Sequence, residues 1–170
     1  YSSSVEYGGS PLAQWMKSVA QVHLANFGTR VFYTGVNPGT FDTHANQATT
    51  LPKLWADVST SISDFYEDLK EHNANEEVVI LLFTEFGRRV QENGSGTDHG
   101  SGGVAFVIGD AVKGGLYGEY PSLEADKLDN GDLHWNNDFR STYATLLEQW
   151  MSLDANPILG GTYEQFDFIK

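Results

Sequence analysis

The sequence predicts an α/β domain in which a mostly parallel sheet carries helices on both faces. Two runs, at 29–36 (TRVFYTGV) and 78–83 (VVILLF), have the β-branched and apolar composition of buried strands. Between them, apolar residues recur at helical spacing from Thr50 or Leu51 to about His72. Strand, helix and strand form a βαβ unit, whose crossover is right-handed in nearly all proteins. Both strands would then end at the same edge of one parallel sheet.

A helix precedes this unit. Ser10 and Pro11 have the residue types of an N-cap and a first helical residue, and Gly28 is placed to end the helix. Residues 1–9 are small and polar, which predicts a tail or linker. We therefore expect a single domain at residues 10–170.

Two further elements follow the βαβ unit. Residues 104–108 (VAFVI) predict a third short strand, and Asp138 has the residue type of an N-cap for a last helix that reaches Trp150. The acidic sequence DNGD at 129–132 indicates either a hairpin turn or a weak fragment of a calcium loop.

Composition and charge exclude several classes of function. The 170 residues carry a formal net charge of −13, and a surface of that sign repels the phosphates of nucleic acids. No apolar run approaches the roughly 20 residues that a membrane-spanning helix needs. The chain has no cysteine, which excludes disulfides, thiolate zinc sites and a cysteine nucleophile. Because the chain opens at Tyr1 without a methionine, we expect that processing removed an upstream segment or that a longer protein exists.

Two polar segments follow the predicted strands and carry metal-binding residue types. Asp42 and His44 follow the first strand, and Asp98 and His99 lie among glycines in the 84–103 segment after the second. Carboxylates with neutral imidazole suit zinc, manganese or iron, and the carboxyl ends of parallel strands are where α/β sheets bind ligands. Arginines in the same segment could contact an oxyanion beside the cation.

Simpler interpretations stay open for each of these residues. Asp42 could cap the turn after the proline at position 38, and the Asp98–His99 pair could belong to a surface turn. Glu85 and Arg88 could form an ordinary ion pair.

Several motifs together resemble one bacterial family. They include FDTHANQ at 41–47, TEFGRRVQENGSGTDHG at 84–100, LYGEYPSL at 116–123 and DFRSTYATLLEQW at 138–150. The chain resembles, over nearly its whole length, the domain-of-unknown-function family numbered fifteen hundred and one, sulfatase-like members of the alkaline phosphatase superfamily. This resemblance implies the C-terminal part of an alkaline-phosphatase/sulfatase-like sheet and export to the periplasm, cell surface or extracellular space.

The resemblance also assigns roles to particular side chains. It implies divalent-metal ligands (zinc, manganese, iron or calcium) at Asp42, His44, Asp98 and His99, a strand-end acid at Glu85 and an oxyanion contact at Arg88. The superfamily carries its nucleophile in the N-terminal half, so no nucleophile is assigned here. An N-terminal fragment or a second chain would complete the site.

Two functions follow as expectations. The first is a metal-dependent hydrolase-like domain that acts on phosphate or sulfate esters. The second is a non-catalytic secreted or cell-surface protein that binds or builds structure and self-associates.

Overall fold

The computed structural model describes residues 1–170 and contains two small antiparallel sheets of two strands each. The predicted parallel sheet with helices on both faces is therefore wrong, and so is the sulfatase-like architecture that the resemblance implied. The helices are α1 (Pro11–Leu24), α2 (Gln47–Glu71), α3 (Phe139–Thr145) and α4 (Asn156–Leu159). The strands are β1 (Ile80–Leu82), β2 (Gly87–Glu92), β3 (Thr97–Gly100) and β4 (Phe106–Ile108). None of the helices combines the length and apolarity needed to cross a bilayer.

The predicted βαβ unit is not formed, because neither of its two runs becomes a strand of a parallel sheet. Residues 29–36 belong to no strand, and β1 pairs antiparallel with β4, in a register that sets Leu81 opposite Val107. The predicted third strand exists, but as the antiparallel partner of β1. Strand propensity describes how side chains suit a pleated surface and does not say which backbone will pair with them. The 84–103 segment, predicted as one polar loop, instead contains β2 and β3, which pair with each other.

The chain divides into two compact units, the first comprising residues 1–78 and 92–98 and the second comprising 79–91 and 99–170. In the first unit, α1 and α2 pack together, and their buried apolar side chains form its core: Leu12, Ala13, Met16, Ala20, Val58, Phe65 and Leu69. Ser10 caps α1 as predicted, because its hydroxyl accepts the N–H of Ala13 at 3.2 Å. The helix ends earlier than predicted, with Ala25 as its C-cap.

The first residues of the chain pack on the far end of α2. The hydroxyls of Tyr1 and Tyr7 both donate to Oδ2 of Asp68, at 2.7 Å in the case of Tyr7. Asp68 is fully buried, and the main-chain N–H of Ser4 donates to Oε2 of Glu71 at 2.9 Å. We call residues 1–7 the N-terminal strap.

The second unit is built on the β1–β4 sheet, on α3 and on the C-terminal tail. Asp138 caps α3 as predicted, and a single π-helical turn continues the helix through Leu146–Trp150. In the tail, the main-chain oxygen of Phe168 accepts the N–H of Lys113 at 2.8 Å. The 129–132 sequence forms a tight hairpin turn, in which Gly131 has a φ of 85°.

Candidate metal site

A run of short turns presents Asp42 and His44 to solvent. The N–H of Asp42 donates to the carbonyl of Gly39 at 3.1 Å, and the N–H of His44 donates to the carbonyl of Asp42 at 3.1 Å. Phe41 fixes this run on α2 through an edge-to-face contact with Trp55, with ring centroids 5.3 Å apart. The turns therefore stand on a packed helix while both polar side chains remain exposed.

His44 lies between two carboxylates of the first unit. Its Nε2 is 2.9 Å from Oδ1 of Asp42, and its Nδ1 is 3.2 Å from Oδ1 of Asp98. The three side chains are 40–59% exposed, so exchange with solvent is open to each of them. The carboxylates of Asp42 and Asp98, which are far apart in the chain, thus both contact the imidazole of His44.

Asn93 holds Asp98 in this arrangement. Its amide nitrogen donates to Oδ1 of Asp98 at 2.9 Å, and its side-chain oxygen accepts the N–H of Gly96 at 3.1 Å. The main-chain N–H of Asn93 also donates to the carbonyl of Gly96 at 2.9 Å, which closes the turn between β2 and β3. A single asparagine thus shapes the turn and orients the carboxylate.

Gly96 is buried against the main chain of His44. A Cβ added at this position would lie 2.5 Å from the carbonyl carbon and oxygen of His44, and 2.7 Å from the oxygen of Thr43. No side chain fits that distance. The absence of a Cβ at position 96 is therefore what allows the segment that carries Asp98 to touch the main chain of His44.

The donor atoms at this site suit a divalent cation. One imidazole nitrogen and a carboxylate oxygen can bind a metal, while the second carboxylate holds the other ring nitrogen, which is the usual support of a histidine ligand. Asp42 and Asp98 face opposite nitrogens of His44, so either carboxylate can be the metal ligand while the other holds the imidazole. The residues present therefore fit a metal, and the nitrogen donor favours zinc, manganese or iron over calcium.

The other predicted site residues lie in the second unit. His99 follows Asp98 directly in the chain, and its ring stacks on Phe86 with centroids 3.8 Å apart. The guanidinium of Arg88 lies 5.0 Å from the centroid of the same Phe86 ring, so one aromatic side chain supports both. Glu85 is exposed in the connection between β1 and β2. Their assignment to metal or oxyanion binding stays a prediction.

Sequence reasoning did not single out three residues that shape the site: Gln47, Asn93 and Gly96. Asn93 precedes a glycine, which is a turn signal and could have indicated a hairpin between β2 and β3. The role of Gly96 depends on a close approach to His44 that no spacing in the sequence encodes.

Comparison with protein-family models identifies the family of this chain. Residues 14–158 match the family model described as Protein of unknown function (DUF1501). Comparisons with curated proteins and with solved structures gave no match. The match extends over most of the 170 residues and agrees with the motifs at 41–47 and 84–100. The chain belongs to the DUF1501 family.

Proposed function

We propose that the first unit binds a divalent metal cation through His44 and the carboxylates of Asp42 and Asp98, one as a ligand and the other as the support of the imidazole, and that the chain acts as a metal-dependent hydrolase domain on phosphate or sulfate esters. The observation that carries this proposal is the imidazole of His44 between two carboxylates, at 2.9 and 3.2 Å. The proposal rests on the chemistry of the site and not on the fold, because one fold can serve many functions.

Charge supports a cation at this position. Two carboxylates share one imidazole on a chain whose formal net charge is −13, so a divalent ion would reduce the local negative charge. When bound, such an ion polarises a phosphoryl or sulfuryl oxygen and lowers the pKa of a bound water.

Arg88 and Glu85 are the proposed catalytic side chains of the second unit. A guanidinium presents several donors in a plane that matches the oxygens of phosphate and sulfate. A carboxylate such as Glu85 can accept or donate a proton during ester cleavage. No nucleophile is assigned, and we propose that an N-terminal fragment or a second chain supplies it in an exported protein.

The test is metal content together with hydrolysis. Purified protein is loaded with zinc or manganese, dialysed and measured by mass spectrometry of the metal, and the same samples are assayed with aryl phosphate and aryl sulfate. We expect stoichiometric metal in the native chain and little or none in Asp42→Ala or His44→Ala, because the first removes a ligand or the support of the imidazole and the second removes the imidazole itself. His134→Ala, an exposed histidine of the second unit, is the matched control and should retain the metal. A native chain without metal and without turnover under any divalent ion would refute the proposal.

One observation favours a second function, that of a non-catalytic binding protein. Phe27, Val31 and Tyr33 are 77%, 68% and 86% exposed within a short stretch of chain, which is unusual for large apolar side chains. Such side chains often mark a surface that binds another protein. Light scattering of the native chain and of Val31→Ser tests this function. If these side chains bind a second copy, the native chain should be an oligomer and Val31→Ser should form smaller particles.

A further inference from the structure

Gln47 contacts both segments that carry the proposed metal ligands. Its Nε2 lies 3.2 Å from the main-chain oxygen of Thr43 and 3.0 Å from the Oγ1 of Thr43. The same nitrogen is 3.1 Å from the Oγ1 of Thr97, and that hydroxyl is 3.2 Å from Oε1 of Gln47. One side-chain amide therefore joins the 42–44 turn to the start of β3.

The two threonines are the chain neighbours of the ligands. Thr43 lies between Asp42 and His44, and Thr97 directly precedes Asp98. A displacement of either threonine therefore also shifts the main chain that carries these side chains. Metal binding is sensitive to such displacements because ligand distances are fixed within a few tenths of an ångström.

Burial makes these hydrogen bonds hard to replace by water. Thr43 is 7% exposed, while Gln47 and Thr97 are half-buried. Removing the amide would leave the main-chain oxygen of Thr43 without this donor in a poorly hydrated position, which is costly. The amide is thus a structural bond whose loss the site cannot easily repair.

The start of α2 reinforces the same junction. The N–H of Gln47 donates to the carbonyl of Ser95 at 2.9 Å, and the N–H of Asn46 lies 3.3 Å from the hydroxyl of Ser95. The side chain of Asn46 makes no capping bond, so the helix start depends on the 95–98 segment instead. Both the main chain and the side chain of Gln47 therefore bind this segment.

We propose that Gln47 is the positioning residue of the metal site: it sets the distance between Asp42–His44 and Asp98 without binding the metal itself. The inference rests on the proposed function for the metal and adds a residue that holds its ligands. Mutation of groups that orient metal ligands typically lowers metal affinity by about 10–100-fold.

The experiment compares zinc affinity and the cobalt absorption spectrum among variants. We expect Gln47→Ala and Gln47→Glu to lose about 10–100-fold in zinc affinity and to change the cobalt spectrum. Gln47→Glu should lose zinc affinity as Gln47→Ala does, because a carboxylate cannot donate a hydrogen bond to the carbonyl of Thr43. Thr97→Val should also weaken zinc binding, whereas Thr97→Ser keeps the hydroxyl and should retain the native affinity.

Gln149→Ala is the matched control, since Gln149 also donates to a side-chain oxygen and a main-chain oxygen but belongs to the second unit. A native zinc affinity in Gln47→Ala, or an equal loss in Gln149→Ala, would overturn the proposal. A metal-free readout separates this inference from the proposed function: amide hydrogen exchange at 42–44 and at 95–98 should rise together in Gln47→Ala. Unchanged exchange in both segments also overturns the proposal, even if the native chain binds no metal.

Discussion

The two ends of α2 each place a histidine between acceptors, and the acceptors differ. His44, just before the helix, faces the carboxylates of Asp42 and Asp98. His72, the C-cap of the helix, directs Nδ1 to the main-chain oxygen of Asp68 at 2.8 Å and Nε2 to that of Ser2 at 3.0 Å. Its Nδ1 also lies 3.3 Å from the carboxylate of Asp68, which is fully buried, unlike the two exposed carboxylates at His44. Carboxylates can bind protons or a metal, whereas these carbonyls act here only as hydrogen-bond acceptors.

This difference assigns the two histidines to different tasks. For His72 to donate to both carbonyls, each ring nitrogen must carry a proton, so the imidazole must be charged. The hydrogen bond to the carbonyl of Asp68 accordingly raises the pKa of His72, and the bond to Ser2 adds to this effect, against a smaller lowering from burial. His72 therefore holds the N-terminal strap through hydrogen bonds, while His44 lies between two exposed carboxylates.

Asp68 extends this contrast. Its side chain is fully buried, unlike the exposed Asp42 and Asp98. Burial by itself would raise the pKa of Asp68, but the hydrogen bonds from Tyr1 and Tyr7 outweigh it and hold the pKa below its ordinary value. Burial and the same carboxylate raise the pKa of Tyr1 to about 12. The strap end of α2 thus holds a buried carboxylate that accepts two tyrosine hydroxyls, whereas the carboxylates at the other end are exposed.

The largest expected effect comes from removing the buried carboxylate. Asp68→Ala removes a buried carboxylate that accepts two tyrosine hydroxyls, and hydrogen bonds to a charged group contribute about 1.5–3 kcal/mol each, so the free energy of unfolding should fall by about 2–4 kcal/mol. Urea denaturation measures this fall. Glu67→Ala, a neighbouring exposed acid on α2, should change stability by less than about 0.5 kcal/mol. Equal small effects for both variants would contradict the assigned importance of the buried carboxylate.

A smaller effect is expected at the end of α2 with the exposed carboxylates. Gly96→Ala places a Cβ 2.5 Å from main-chain atoms of His44, so the 95–98 segment must shift away from the 42–44 turn. We expect a loss of about 1–3 kcal/mol in unfolding free energy, as overpacking usually costs, together with weaker zinc binding. Gly35→Ala is the control, because a Cβ there meets nothing within 4 Å. Native zinc affinity in Gly96→Ala would argue against the contact between the two segments as the basis of the site.

The sequence predicted the helices better than the sheets. Local signals determine a helix: Ser10 caps α1, Asp138 caps α3, and the apolar stripe of α2 needs only its own spacing. Sheets depend on which distant backbone supplies the hydrogen bonds. The run at 29–36 has strong strand propensity yet pairs with no strand, and β1 found an antiparallel partner at β4 rather than a parallel one.

The candidate site was partly predictable for a related reason. Residue type and spacing pointed to Asp42, His44 and Asp98, since carboxylates and imidazole in one short motif are visible in the sequence. Their support was not visible. Gln47 joins Thr43 to Thr97, which is 50 positions away, and no local pattern in the sequence indicates that long-range hydrogen bond.

The smallest expected effect is a pH dependence of the N-terminal strap that arises from the protonation of His72. A raised pKa in the folded chain means that protonation stabilises the strap fully below the ordinary value of 6.5, and that this stabilisation is lost as pH rises through the higher folded-state value. Glu71 and Asp68 have lowered pKa values and Tyr1 titrates near 12, so these neighbours keep their charge in that window.

Amide hydrogen exchange at Ser4 and Val5, corrected for the intrinsic pH dependence of exchange, should therefore lose protection as pH rises above 6.5. In His72→Gln the pH dependence should disappear, because the amide cannot gain or lose the proton. His23→Gln, which removes the other histidine lining the same cleft, should retain it. If His23→Gln removes the dependence and His72→Gln does not, the strap is governed by the ion pair of His23 with Glu77, at 3.1 Å, and the contrast between the two ends of α2 loses its basis in protonation.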